Sequence, residues 1–156
     1  MRIRTAAEGD LPAMVAMVEA RRRAHEAFQP VFSRKAADSA QTTLPFFASL
    51  LADPSAVVLG AVGGGRLLGF LIAREAPAPP PYDPGGPTGL IDDFCVADPS
   101  LWPSVGRALL EEARARGHVR GWRQVVVVCG HADRPKGELL AAAGLALAST
   151  WWTAPL

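Results

Sequence analysis

Residues 90–117, LIDDFCVADPSLWPSVGRALLEEARARG, constrain this chain most, because the hydrophobic period changes there within a few residues. Leu90, Ile91, Phe94, Cys95 and Val96 carry an apolar strand, and Asp98, Pro99 and Ser100 a turn. Val105, Leu109, Leu110 and Ala113 then recur at helical spacing. Pro103 suits the first helical position, where an N–H would have no intrahelical acceptor. The amides of Ser104, Val105, Gly106 and Arg107 are expected to follow unpaired, at the positive end of the helix dipole. Such a start can seat an anion, since Gly106 puts no side chain in the way and Arg107 adds a charge-assisted contact. The alternative is an ordinary hydrated helix start.

In their order and spacing these residues resemble the GCN5-related N-acetyltransferase family, whose motif runs strand, V-x-x-P, then [QR]-x-x-G-x-[GA] opening a helix. Val96 takes the strand valine, with Pro99 after it, and residues 101–106 (LWPSVG) fill the six-residue motif; only Gly106 matches it by identity. Leu101 replaces the Gln or Arg and Ser104 the first Gly. The likeness runs over nearly the whole chain, from the opening IRTAAEGDLPAM through a central hairpin and a fifth strand. It reaches a last helix closed by Gly144-Leu145, where the family has Gly-Phe. The resemblance implies an α/β (α+β) fold with a mixed, mostly antiparallel sheet of about six strands and helices on both faces. It also implies acetyl-coenzyme A as cosubstrate, its pyrophosphate on Ser104, Val105, Gly106 and Arg107. The pantetheine arm would insert between strands four and five, along the backbone of Phe94, Cys95 and Val96. Asp133 would touch that arm, and Arg134 or Lys136 the nucleotide phosphates.

The implied reaction is direct transfer of an acetyl or other acyl group to a primary amine of a small molecule or peptide, which requires a base and an acid. Asp92 and Asp93 are the candidate bases. Alternation sends them to opposite faces unless a bulge intervenes, and either one is equally able to pair with an arginine. The family's acid is a tyrosine four residues before the Gly-Phe pair, and that position is Leu140. His131, an imidazole able to shuttle protons, follows the fifth strand and is the further catalytic candidate. Tyr82, the only tyrosine, lies in residues 76–89, whose six prolines and three glycines exclude helix and inner strand. With Phe28, Gln29, Phe32 and Phe46 it is expected to line an apolar acceptor pocket. The rival reading is a catalytically weakened or inactive acyl-coenzyme A-binding domain that has kept the fold and lost the acid.

A chain of 156 residues, 49% hydrophobic and without a repeat, can bury one sizeable core, so a single domain over 1–156 is expected. A formal net charge of +1 suggests neither nucleic acid nor an anionic membrane as partner, and Arg21-Arg22-Arg23 reads as a solvated helix face. No apolar run approaches the roughly 20 residues that span a bilayer, and no apolar leader opens the chain, so a cytoplasmic protein is expected. Cys95 and Cys129 fit a reducing compartment rather than a disulfide framework. No metal-ligand spacing, nucleophile elbow or phosphate-binding NTPase loop appears in the sequence.

Elsewhere, residues 2–6 predict a first strand, 11–27 a helix and 43–51 a second. Residues 56–62 and 67–74 predict a hairpin about Gly63-Gly64-Gly65-Arg66, and 138–143 a last helix. The run Val125–Val128 predicts a strand buried on both faces. Residues 145–152 predict a single final strand, which leaves an open, tryptophan-bearing edge, and the chain is expected to homodimerise there.

Overall fold

Alternation along the central strands sorts their side chains onto two faces, and each face meets a different pair of helices. The computed structural model describes residues 1–78 and 81–156. Its strands are β1 (Arg2–Thr5), β2 (Val57–Gly63), β3 (Arg66–Ala76), β4 (Thr88–Val96) and β5 (Gln124–Val127), side by side in chain order. The first four are antiparallel, and β5 runs parallel to β4 because the chain crosses over through α3 (Arg107–Val119).

On one face, Val58, Phe70, Ile72 and Cys95 pack under Met14 and Val18 of α1 (Leu11–Phe28) and Phe47 and Leu50 of α2 (Ser39–Ala52). On the other, Leu59, Leu71, Ile91 and Phe94 pack under Trp102, Leu109, Leu110 and Leu139, the last from α4 (Arg134–Ala142). Each such side chain contributes about 1.5–3 kcal/mol by burial, and the rings of Phe94 and Trp102 add an edge-to-face contact at 4.8 Å. Gly64 and Gly65 close the β2–β3 hairpin at φ of 57° and 71°, the left-handed pair that a two-residue turn requires.

The mixed, mostly antiparallel sheet with helices on both faces is as expected, with five strands rather than about six. Residues 145–156 form no strand and are largely exposed, with Trp151 touching Phe32 edge-on at 5.9 Å. The outer edge of β5 therefore has no partner strand among the described residues. For the same reason the valine run is not buried on both faces. Val125 and Val127 join the α3/α4 core, whereas Val126 and Val128 are 40% and 47% exposed. Helix α2 begins at Ser39, four residues before the expected start, which puts Pro45 inside it, and α4 begins at Arg134 rather than 138. Of the proline-rich segment, residues 79 and 80 lie outside the described residues. No helix among the described residues is long and apolar enough to cross a membrane.

Candidate active site

The β4–β5 ladder stops halfway along β4. Its last pairing is Ile91 with Val127, followed by one amide, Val128 N donating to Ile91 O at 2.9 Å. Beyond that point β4 carries a bulge: Leu71 pairs with Phe94 and Ala73 with Ile91, so Asp92 and Asp93 together stand opposite Ile72. The extra residue returns both Ile91 and Phe94 to the α3/α4 face, and it settles the alternation question for the two aspartates. Asp93 turns to α1 and meets Arg21, whereas Asp92 is exposed.

Helix α1 supplies one wall. Arg21 Nη2 donates to Asp93 Oδ1 at 3.0 Å, and Nη1 to the carbonyls of Asp92 and Phe94 at 3.2 and 3.5 Å. Arg21 and Arg22 are thus partly buried and engaged, contrary to the solvated face expected of this cluster; Arg22 binds Glu19 and Thr43. Burial pushes the Asp93 carboxyl above the usual carboxylate range, against the pull of Arg21. One turn on, His25 packs on the loop after β5, where a Cβ on Gly130 would lie 2.8 Å from the imidazole. His25 Nε2 stands 3.6 Å from Asp133 Oδ2. Burial disfavours the Asp133 carboxylate, yet the facing His25 and the Lys136 ammonium hold its pKa below the ordinary value.

Lys136 supplies the other wall, and sequence reasoning misplaced it. Far from meeting solvent-side phosphates, it is 1% exposed, with Nζ donating to Val128 O at 2.7 Å and to Phe94 O at 3.4 Å. Its ammonium lies 5.2 and 5.7 Å from the ring centroids of Phe94 and Trp102. Desolvation lowers its pKa to about 8. Burial raises the thiols of Cys95 and Cys129, which disfavours either as a nucleophile. The signal for Lys136 was its place four residues before Leu140, the spacing that puts two side chains on one helix face.

The turn ahead of α3 differs from the expected helix start. Asp98 Oδ1 accepts from Ser100 N at 2.9 Å and from Ser100 Oγ at 2.6 Å, so the chain is already helical from Pro99 and continues through a wide π-type turn, Trp102–Gly106. The Arg107 amide donates to Trp102 O and Ser104 O and is not free. Gly106 is buried, and a Cβ there would come within 2.5 Å of the Trp102 ring and 2.9 Å of Leu139. The missing side chain therefore makes room for Trp102. A groove of about 350 Å³ remains between this turn and α4, lined by Pro99, Ser100, Pro103, Arg107, Pro135 and Glu138 among others.

The remaining candidates are scattered. His131 is exposed on the turn before α4. Phe28, Phe32 and Tyr82 are 42%, 62% and 70% exposed; Phe28 stacks near His25, Phe32 on Trp151, and Tyr82 makes no ring contact among the described residues.

Solved structures resemble this one over its full length. A point mutant of the BH1408 protein from Bacillus halodurans aligns with a TM-score of 0.85 at 16% identity, over 100% of this chain and 99% of that one. A predicted acetyltransferase with acetyl-CoA from Clostridium acetobutylicum aligns at 0.71 and 16%, over 99% and 95%. The aminoglycoside antibiotic 6'-N-acetyltransferase from Acinetobacter haemolyticus aligns at 0.73 and 14%, over 100% and 99%. The chain has the GCN5-related N-acetyltransferase fold. No family model and no curated protein matches its sequence.

Proposed function

We propose that the chain is an N-acyltransferase that moves an acetyl group from acetyl-coenzyme A to a primary amine of a small molecule or peptide by direct attack. The parting of β4 from β5 after Ile91 and Val127 carries this reading, because it leaves strand backbone at Phe94, Cys95 and Val96 unpaired with β5 on the side where an extended ligand can add. The groove beside the α3 turn fits the diphosphate end: Arg107 offers a cation and Ser100 a hydroxyl, with Glu138 an opposing charge among its lining residues. When bound, acetyl-coenzyme A supplies an activated thioester. Asp92, exposed at the bulge and free of the Arg21 pair, accepts the proton of the attacking amine, and Arg21 keeps Asp93 in place behind it. Phe28 and Phe32 offer exposed aromatic surface for an acceptor with an apolar body.

The second reading, a binding domain without turnover, is favoured by one observation: Leu140, buried at the family's tyrosine position, cannot protonate a leaving group. Calorimetry with acetyl-coenzyme A, followed by thiol release over a panel of amines, separates the two. Binding with turnover is expected; binding without turnover selects the second reading, and no binding overturns both.

The same reading has the chain as a homodimer, supported by the open outer edge of β5 beside exposed Val126 and by Trp151 and Trp152, 82% and 93% exposed. Light scattering at micromolar concentration tests it, and a monomer refutes it.

A further inference from the structure

An ammonium that is almost wholly buried normally has a carboxylate against it, since an uncompensated buried charge is expensive. Lys136 has none in contact: no salt bridge reaches it among the described residues, two backbone carbonyls and two ring faces touch its ammonium, and Asp133 acts on it only at longer range. Those carbonyls, Phe94 O and Val128 O, lie where the β4–β5 ladder has ceased, so Nζ stands in the gap between the strands. Two of its three N–H groups are engaged and the third has no acceptor among the described residues. Lys136 also lies one turn before Leu140 on the same buried face of α4.

We propose that Lys136 is the proton donor to the coenzyme A thiolate, acting from the helix and the face on which Leu140 leaves that role unfilled. The inference rests on the acetyltransferase reading above. The acceptor nitrogen forms the new N–C bond, and the carbonyl C–S bond breaks with its electron pair passing to sulfur. A proton moves from Lys136 Nζ to that sulfur, leaving a neutral amine and a free thiol. The proton lost by the acceptor goes to Asp92 and thence to solvent, and Lys136 is recharged from solvent before the next turn. An ammonium whose pKa lies near 8 is well matched to a departing thiolate at neutral pH. The charged and titratable groups that act on it are Arg21 from α1, Asp93 and Cys95 from β4, Cys129 after β5 and Asp133 before α4. Arg21 works with desolvation to ease release of the proton, whereas Asp133 and the two thiols hold it.

Lys136→Arg keeps a cation able to bond both carbonyls but does not release protons at these pH values, and Lys136→Met removes both properties. Each variant is expected to bind acetyl-coenzyme A within about threefold of the parent chain and to release thiol at least ~100-fold more slowly, the range of a lost general acid. The alkaline limb of kcat/KM, falling through about pH 8 in the parent, is expected to vanish in Lys136→Arg. Ultraviolet titration of bound coenzyme A needs no acceptor: its thiol is expected to ionise at lower pH in the parent chain than in Lys136→Met. Parent-like turnover in Lys136→Arg, or an unchanged titration in a folded Lys136→Met, overturns the assignment while leaving the acetyltransferase reading intact. Failure of the parent chain itself to bind acetyl-coenzyme A defeats both.

Discussion

Arg21 Nη2 lies 3.0 Å from Asp93 Oδ1, and the other end of the same guanidinium spans the carbonyls of Asp92 and Phe94. One α1 side chain thereby satisfies the backbone of the β4 bulge and balances its inner carboxylate. Removing the cation leaves a mostly buried carboxylate alone, whereas Asp93→Asn leaves a neutral amide that still accepts a bond. Arg21→Ala is therefore expected to lower stability by about 2–4 kcal/mol and Asp93→Asn by less than half of that. Urea denaturation of the two variants measures the difference, and equal losses contradict it.

Glu19 joins α1 to α2 through Ser39, Arg22 at 3.0 Å and Lys35 at 3.2 Å. Burial works against its ionised form, but these three partners prevail and bring its pKa down to about 2 from 4.5. A depressed carboxylate stabilises the fold above its unfolded pKa and loses that contribution as pH falls toward the folded value. Stability is expected to decline between about pH 4.5 and 2, and Glu19→Gln is expected to lose stability at neutral pH and to flatten that decline. Thermal melts of both chains across the acid range test this.

Gly106 packs against Trp102 and Leu139 with no room for a Cβ. Gly106→Ala is expected to cost about 1–3 kcal/mol by overpacking, seen as a lower urea midpoint with no ligand present. A variant as stable as the parent would show that the π-type turn can yield.

Arg107, by contrast, pairs among the described residues only with Glu111, at 3.8 Å on the surface, and such a pair adds little to stability. If the groove beside it receives the diphosphate, Arg107→Glu weakens acetyl-coenzyme A binding by ~10-fold or more while leaving the melting temperature unchanged. Calorimetry and a thermal melt read the two effects separately.

Most of the layered fold was legible along the chain, because periodicity is local: strand β4, the body of helix α3 and the Gly64-Gly65 hairpin fall where their patterns predict, although α3 itself starts only at Arg107. Element ends were less so. Helix α2 begins early at Ser39, whose hydroxyl bonds Glu19 on another helix, a partner that no local pattern reveals. The valine run misled for a related reason. Continuous β-branched residues show that a strand forms, not which of its faces is covered, and with no strand from the tail, Val126 and Val128 stay open to solvent.

At the site, residue types were legible and roles were not. Asp92 and Asp93 were found together, but which of them is free depended on a bulge and on an arginine 72 residues away. Lys136 and Gly106 were named for contact with phosphate, yet one points its charge into the gap between β4 and β5 and the other makes space for an indole. The sequence by itself determined the alternation, the turns and the order of strands and helices, since these depend on neighbours along the chain. Only the tertiary structure decided which charges are buried, which are paired and which stand free, because desolvation and pairing depend on groups that meet through space.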